Sequence, residues 1–384
     1  MAIKRKDIRY IFMAACIVWL LPGCSPDSPA VSSEEGDVGT IYFTLGLADG
    51  TETRALPQGS DNVHHVDYVQ LYIFDGTDDN APCIASENAE WAAYFQNNLP
   101  IHTAEMIYRV KYQGLQLGKA YTFLAVGVNT AGRQTFDIPA FIAHGATLGS
   151  LEAAWAAGTT STDMAQSELF AGKSVIIPRR TVSQGMVEMR RRVAGVMGWF
   201  SNVPATINGI PVEELRIALY TSQNTRMPLL QRQQSPVFQD FLLSPSTEAD
   251  GRALVRIRVP DNRADIASGG SFVLPADMPP PSDGDAYTLR MELTDVNGNL
   301  LQTRRILLPS GDPSDGTTGG GTGIIDPEGL SRFPIIANHF YSVGSKDAPI
   351  DVGGNNIIIV SINPDWDEIN DDMDVVEKSG GSAG

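Results

Sequence analysis

The stretch YVQLYIFDG, residues 68–76, decides the fold class because its side chains alternate between two faces. On an extended chain, one face carries Val69, Leu71 and Ile73, and the other carries Tyr68, Gln70, Tyr72 and Phe74. A period of two is typical of a β-strand, whereas a helix repeats every 3.6 residues. The stretch therefore predicts a strand with one face buried in a core.

Stretches of the same kind lie on both sides of this one. Upstream is TIYFTLGL (40–47), and downstream are EMIYRVKYQG (105–114) and GKAYTFLAVGVN (118–129). A second series begins near residue 187 and comprises VAGVMGWF (193–200), LRIALYTSQ (215–223), ALVRIRVP (253–260), HFYSVGS (339–345) and NNIIIVSINPDW (355–366). Because these strands are short and do not alternate with helices, we predict an all-β protein of two tandem Greek-key β-sandwich domains with short helices in the connections.

Three connections carry more specific signals. Asn297-Gly298 lies between two apolar stretches and predicts a β-hairpin with a type I′ turn, which needs positive φ at both central residues. The alanine-rich segments SENAEWAAYFQNNL (86–99) and TLGSLEAAWAAG (147–158) predict short helices.

Length and composition suggest how the chain is divided. A chain of 384 residues suggests two domains at about 150 residues each. With 42% hydrophobic residues, 37 Gly and 24 Pro, the composition is that of a globular protein rich in turns. We predict a signal peptide at 1–23, a flexible tether at 24–39, an N-terminal β-sandwich at 40–186 and a C-terminal β-sandwich with an acidic tail at 187–384.

The first residues predict export. A basic start, KRKDIR (4–9), precedes the apolar run YIFMAACIVWLL (10–21), which is too short to span a bilayer of about 30 Å as a helix. The following LPGCS (21–25) resembles the lipobox of bacterial lipoproteins, which implies cleavage before Cys24 and its acylation by chains such as palmitate. The alternative is an ordinary signal peptide with a coincidental cysteine. After cleavage before Cys24, Cys83 would be the one cysteine not acylated, so no intrachain disulfide is expected.

The charge disfavours nucleic acid as a partner. The net charge is −17, whereas phosphate binding needs a basic face. Three consecutive arginines, Arg190 to Arg192, could form a phosphate patch, but we interpret them as part of a strand that places arginines on both faces.

Catalytic signatures are mostly absent from the sequence. It contains no His-Glu-x-x-His, no Cys-x-x-Cys and no Gly-x-Ser-x-Gly after a strand, so we predict that the protein is not an enzyme and has no catalytic residues, metal or cofactor. Two segments resemble parts of a phosphate-binding loop, GLQLGKAY (114–121) and AGKSV (171–175). The first is one residue short and the second lacks the leading glycine, so both are interpreted as turns that enter strands.

Two other kinds of cluster leave alternatives open. The acidic segments DGTDD (75–79) and DPSDG (312–316) could bind calcium, but they lack the spacing of an EF-hand loop and fit solvated turns better. Trp91, Tyr94 and Phe95 could form a sugar-binding platform, although apolar side chains at helical spacing more often pack in a core.

Several motifs taken together resemble a known family. In order, they are the lipobox, the Thr53-Arg54-Ala55 tripeptide after the first strand, VQLYIFD (69–75), MRRRVAGV (189–196), NHFYSVGSK (338–346) and NPDWDEINDDM (363–373). Their order and spacing resemble the fimbrillin family, the lipoprotein subunits of type V pili, over Cys24 to about Glu377. The last two motifs are most similar to minor subunits of the anchor or tip class. The resemblance implies two transthyretin-like β-sandwiches, localisation at the outer membrane and fimbrium, and a structural and adhesive role.

For polymerising members, the resemblance also implies a processing step. Proteolysis after an arginine removes the first strand, and a strand from the C-terminal segment of another subunit then fills the groove. In this sequence, Ile41–Leu47 would leave after a cut between Arg54 and Ala55, and the donor would lie within 355–376. The surrounding loop, ADGTETRALPQGSDN, is polar enough for proteases to reach, although Arg54 could also be an ordinary solvated residue. An anchor would keep Ile41–Leu47 and its lipid, whereas a stalk or tip subunit would lose both.

The partners implied are other fimbrial subunits, the outer membrane through the lipid on Cys24, and a ligand on a host or bacterial surface. A rival hypothesis is a surface-exposed outer-membrane lipoprotein that binds glycans through its two β-sandwich domains.

Overall fold

In the computed structural model, the alternating stretches form strands of two large sheets. The structure describes residues 38–47, 66–96, 105–136, 142–219, 226–230, 253–275, 289–307, 335–354 and 358–363.

The elements within these ranges are mostly short strands. The strands are β1 (Ile41–Leu47), β2 (Tyr68–Phe74), β3 (Cys83–Asn88), β4 (Glu105–Arg109), β5 (Tyr121–Val128), β6 (Glu152–Ala154), β7 (Leu169–Ile176), β8 (Ser183–Arg191), β9 (Ala194–Ser201), β10 (Thr206–Ile207), β11 (Ile210–Pro211), β12 (Glu214–Leu219), β13 (Arg226–Pro228), β14 (Ala253–Arg258), β15 (Ala267–Val273), β16 (Leu289–Thr294), β17 (Leu300–Leu307), β18 (Phe340–Val343), β19 (Ile350–Asp351) and β20 (Ile358–Asn363). The helices are α1 (Trp91–Gln96), α2 (Thr130–Thr135), α3 (Ser161–Ala165) and one 3₁₀ turn (Leu148–Ser150). The predicted all-β class is confirmed.

The first sheet has the strand order β3-β2-β5-β7-β8-β1-β4. Its strands enclose one apolar core, to which Phe43, Leu71, Tyr108, Phe123 and Val187 contribute from five different strands. Strand β8 joins the two halves of the sheet, because most of its length pairs with β1 while its last two residues pair with β7. The sheet therefore folds over itself as a sandwich.

The second sheet also encloses an apolar core. Its path runs β14-β12-β16-β17-β20-β18-β9-β15, and β19 also pairs with β9. The core inside it includes Val196, Leu215, Ile257, Met291 and Val360. The predicted arrangement of two β-sandwiches in tandem is therefore confirmed.

Strand β2 corrects the expectation that only one face of each strand is buried. All seven of its residues are buried. Val69, Leu71 and Ile73 face the core of the first sandwich, whereas Tyr72 and Phe74 belong to a second apolar cluster. Alternation between large apolar residues on both faces therefore marks a strand covered on both sides.

This second cluster also contains residues of the C-terminal half. Met197 of β9 and Phe272 of β15 join Tyr72, Leu124 and Leu169. Because the cluster includes strands of both sheets, apolar packing connects the two sandwiches.

The helix predictions were right in one segment and wrong in the other. Residues 86–99 contain α1, although the segment begins as strand β3. Residues 147–158 contain a 3₁₀ turn followed by β6. Strand β6 pairs with β13, and its Ala153 is fully buried. Tertiary pairing overrides the helix propensity of alanine here. Among the described residues, no helix is long and apolar enough to cross a membrane.

The predicted hairpin at 289–307 is present, but its turn differs from the prediction. Strands β16 and β17 pair antiparallel with a register shift next to the turn. Gly298 has φ +77°, whereas Asn297 does not have positive φ. The Gly298 N–H donates to the Asp295 carbonyl, and the Asp295 carboxylate accepts the N–H groups of Asn297 and Asn299. The aspartate thus favours a longer turn than the two-residue type I′ connection.

The two phosphate-loop-like segments have different positions. Gly118, with φ +73°, lies in a turn before β5, as predicted. Residues 171–175 instead lie inside β7. A Cβ at Gly172 would lie 1.9 Å from the Glu188 carbonyl oxygen, so glycine is needed there for the close approach of β8.

The arginines at 190–192 occupy the end of β8, as the strand interpretation predicts. Arg190 is exposed and pairs with Glu188, whereas the Arg191 side chain is fully buried with its Nη2 3.1 Å from Oε1 of the buried Glu168. The predicted domain limit after residue 186 falls within β8, and the division at that residue stays a prediction.

Candidate functional site

The candidate site is the position that β1 occupies in the first sheet. Strand β1 lies between β8, to which it runs parallel, and β4, to which it runs antiparallel. Backbone hydrogen bonds hold its beginning on both sides: Val110 donates to the Ile41 carbonyl, and Ser183 donates to the Thr40 carbonyl, each at 3.0 Å. Removing this strand would leave a groove between β4 and β8.

The inner face of β1 fills that groove with apolar side chains. Ile41, Phe43, Leu45 and Leu47 are all at most 4% exposed. Burying one such side chain contributes about 1.5–3 kcal/mol. The sequence therefore predicted both the strand and its buried face correctly.

Phe43 lies at the centre of the groove. Its ring centroid is 4.5 Å from that of Phe123, with the two rings tilted by 48°. Its cross-strand neighbour is Gly185, where a Cβ would lie 2.7 Å from the Phe43 Cε1 atom. The groove thus contains a pocket for an aromatic ring that exists only because residue 185 has no side chain.

The outer face of β1 lies beside exposed apolar side chains. Thr44 stands between Ile107 of β4 and Met186 of β8 in the cross-strand register. These two flanking side chains are 65% and 53% exposed. A strand in this position therefore has apolar neighbours on both of its faces.

The carboxylate of Glu87, on β3, contacts Tyr108 of β4 and the backbone just after that strand. Its Oε2 atom accepts the hydroxyl of Tyr108 at 2.7 Å and the N–H of Lys111 at 3.0 Å, and its Oε1 atom accepts the N–H of Tyr112 at 2.5 Å. Burial of Tyr108 and its hydrogen bond to Glu87 raise the pKa of the phenol far above its usual value. Sequence reasoning missed Glu87, because nothing in the surrounding ASEN stretch indicates a partner more than twenty residues away.

The predicted donor region is only partly described. Its residues 358–363 form β20, which lies between β17 and β18 of its own sheet. Ile358 and Val360 are at most 1% exposed. Cys24, Arg54 and Ala55 lie outside the described residues, so acylation and processing stay predictions.

The described side chains that the sequence suggested for sugar or calcium binding have structural roles. Trp91 is 3% exposed and packs in the core of the first sandwich, while the side chains of Tyr94 and Phe95 lie outside the described part. In the acidic segment at 75–79, Asp75 pairs with Lys119 at 2.5 Å and Asp78 caps the N–H of Asn80, as in a structural turn. The acidic segment at 312–316 lies outside the described residues.

Cys83 is a buried free thiol. It lies on β3, and burial raises its pKa above the ordinary value. It is therefore a core residue and a poor nucleophile.

Comparison with known proteins supports the resemblance found in the sequence. Residues 58–238 match the family model described as "Fimbrillin-A associated anchor proteins Mfa1 and Mfa2". This match covers just under half of the chain, and over these residues the predicted resemblance to fimbrillin-type subunits is confirmed. No curated protein matches the sequence at a significant level.

Solved structures with a related shape include two fimbrial proteins of Porphyromonas gingivalis. The anchor protein Mfa2 is 11% identical, with a TM-score of 0.38 over 85% of this chain and 98% of that one. The tip protein Mfa3, with a C-terminal truncation, is 11% identical, with a TM-score of 0.38 over 84% and 98%. A Bacteroides thetaiotaomicron protein described as polysaccharide-binding is 15% identical, with a TM-score of 0.45 over 85% and 96%. TM-scores below 0.5 are too low for these likenesses to bear on function.

Proposed function

We propose that this chain is a structural and adhesive subunit of a cell-surface fimbria, and that it joins its neighbours by exchange of a β-strand. The role is structural, so it requires neither catalytic residues nor a cofactor. The match to a family described by its fimbrial anchor proteins supports this proposal. The observation that carries the mechanism is the position of β1 between β4 and β8, with four apolar side chains in the core.

The geometry of β1 suits exchange. A single cut between β1 and β2 separates this strand from every other described strand, because β1 precedes them all in the chain. The vacated groove would offer two rows of backbone groups, from β4 and β8, and a row of apolar pockets. Backbone hydrogen bonds then supply affinity, and the pockets select the side chains of the incoming strand.

We propose Arg54 and Ala55 as the site of that cut. The experiment is to incubate the purified chain with a trypsin-like protease, sequence the new N-terminus and look for oligomers on a gel. We expect Ala55 as the new first residue, followed by assembly, and neither event in an Arg54→Ala variant. Cleavage without assembly, together with carbohydrate binding by the intact chain, would favour the glycan-binding lipoprotein.

We further propose that Cys24 carries the lipid that holds the chain on the outer membrane. Each buried methylene of an acyl chain contributes about 0.8 kcal/mol, so several acyl chains on one cysteine give durable attachment. Mass spectrometry of protein recovered from cells distinguishes the two roles of the resemblance. An acylated Cys24 at the N-terminus indicates an anchor, whereas Ala55 indicates a stalk or tip subunit. A Cys24→Ala variant should lose membrane attachment.

The C-terminal segment favours a terminal position in the fimbria. Strand β20 belongs to the second sheet, and its Ile358 and Val360 side chains are buried in the core of that sheet. The remaining candidates, residues 364–376, read PDWDEINDDMDVV and include six acidic residues. Burying carboxylates in the apolar groove is costly. We therefore propose that this chain accepts a strand more readily than it donates one, as a tip subunit that has lost β1 would.

A further inference from the structure

The groove at β1 needs a wall that stays in place while the strand is absent. One wall is β8, which also pairs with β7. The other wall is β4, whose described backbone pairing is with β1. Loss of β1 would therefore leave β4 without its ladder, and a strand without a partner frays.

Glu87 supplies a connection to β4 that does not involve β1. Strands β3 and β4 are the two ends of the first sheet in its strand order. The Glu87 carboxylate of β3 bridges them by accepting the Tyr108 hydroxyl and the backbone N–H groups of Lys111 and Tyr112. Hydrogen bonds to an ionised acceptor are about twice as strong as those between neutral groups.

We propose that Glu87 is a positioning residue for strand exchange, which holds β4 and the residues after it at the correct distance from β8 while the groove is empty. This inference rests on the function proposed above and adds to it the means by which the acceptor groove stays open. A strand could then bind in the groove without β4 first having to regain its position. Preorganisation of this kind reduces the entropy cost of binding.

A nearby carboxylate provides a matched control. Glu90 lies three residues further along and contacts Lys111 through the ammonium Nζ at 2.6 Å. Both side chains of this pair are more than half exposed, so the pair contributes little. The two glutamates thus differ in whether they bind the backbone after β4.

The hydrogen-exchange rates of three consecutive backbone amides test this proposal. Val110 donates its N–H to the Ile41 carbonyl of β1, whereas Lys111 and Tyr112 donate theirs to Glu87. A recognition site for a sequence-specific protease, placed between β1 and β2 of the full-length chain, allows one cut that leaves β1 bound without a covalent link. Hydrogen exchange is then followed residue by residue by NMR.

In the cut chain, we expect Val110 to exchange whenever β1 leaves, and Lys111 and Tyr112 to exchange about tenfold more slowly because Glu87 still holds them. Glu87→Gln should remove this difference, and Glu90→Gln should preserve it. Equal exchange of the three amides in the cut chain with Glu87 intact would overturn the inference, and this comparison needs no variant that might fail to fold.

A second measurement separates this inference from the proposed function. A fluorescent peptide with the sequence of residues 38–48 is added to the cut chain, and its uptake is followed by polarisation. We expect uptake to be about tenfold slower in Glu87→Gln and unchanged in Glu90→Gln. If the cut chain takes up no peptide, strand exchange at this groove is refuted, while the amide comparison still decides whether Glu87 holds β4. Uptake at the same rate in Glu87→Gln would overturn the positioning role.

Discussion

The strands β1 and β20 pair with their neighbours in the same pattern in the two sheets. Each lies parallel to one neighbour and antiparallel to the other: β1 between β8 and β4, and β20 between β17 and β18. However, β1 pairs with β8 along its full length, whereas only Ile358 and Ile359 of β20 pair with β17. The first strand pairs with β8 from Ile41 to Leu47 and with β4 from Tyr42 to Gly46, so its replacement by another strand must match more of the groove than a replacement of β20 would.

The largest loss of stability is expected from a substitution at the centre of β1. Phe43→Ala should lower the free energy of unfolding by about 3–5 kcal/mol, because a fully buried ring is lost from a pocket formed by Phe123 and Gly185. Urea unfolding followed by circular dichroism measures the change. Thr44→Ala, on the outer face, serves as the control and should change the stability by less than about 0.5 kcal/mol. A loss below about 1 kcal/mol for Phe43→Ala would mean that β1 contributes little to the closed sandwich.

A smaller loss of stability is expected from substitution of a buried residue in β20. Ile358 is 1% exposed, and Ile358→Ala should cost about 2 kcal/mol, at the low end for such substitutions, because the short ladder with β17 lets the site relax. The same urea experiment applies, with the 45%-exposed Ile359 changed to Ala as the control. If Ile358→Ala destabilises the chain as much as Phe43→Ala does, the two closing strands are held equally and the comparison fails.

The antiparallel neighbours of both strands carry a buried tyrosine, which predicts a shared response to alkali. Burial raises the pKa of Tyr108 and of Tyr341 above the ordinary tyrosine value of 10.0. Since the folded pKa lies above the unfolded one, the stability these phenols contribute is fully present below pH 10 and is lost as the pH rises above it. NMR of labelled tyrosine should show both rings neutral at pH 10 in the folded chain. Ionisation of either ring near pH 10 without unfolding would contradict this.

The two tyrosines should differ in how they respond to substitution. Tyr341→Phe removes the oxygen that accepts the Ile336 N–H at 2.9 Å and should cost about 1 kcal/mol. Tyr108 has Glu87 as its partner, so Glu87→Gln should lower the pKa of Tyr108 and leave that of Tyr341 unchanged. A parallel fall in both values would indicate a general loosening of the fold.

The smallest effect is expected at the hairpin that positions β17. The amide of Asn299 and the N–H groups beside it lower the pKa of the exposed Asp295 carboxyl. Its contribution is therefore present above the ordinary aspartate pKa and disappears as the pH falls through the lowered value. Asp295→Asn should slightly lower the melting temperature at pH 7, and the difference from the unsubstituted chain should vanish in acid. A difference that persists in acid would point to packing and not to the charge.

Some features of the fold and of the candidate site were predictable from the sequence because they depend on neighbouring residues alone. The period of two placed β1, β2 and β5, identified Ile41, Phe43, Leu45 and Leu47 as one buried face, and Asn297-Gly298 located a hairpin. Alternation is a local property, since consecutive side chains of a strand point to opposite sides wherever the strand lies.

Other features depended on residues distant in sequence, and only the tertiary structure decided them. It placed the first strand between β4 and β8, buried both faces of β2, turned the alanine-rich segment at 147–158 into a strand next to β13, and put Glu87 beside Tyr108. Strand order and cross-strand side-chain contacts come from non-local pairing, which leaves no period in the sequence. The sequence thus determined that the first strand has one apolar face, and the fold determined which two strands flank it and where the Glu87 carboxylate lies.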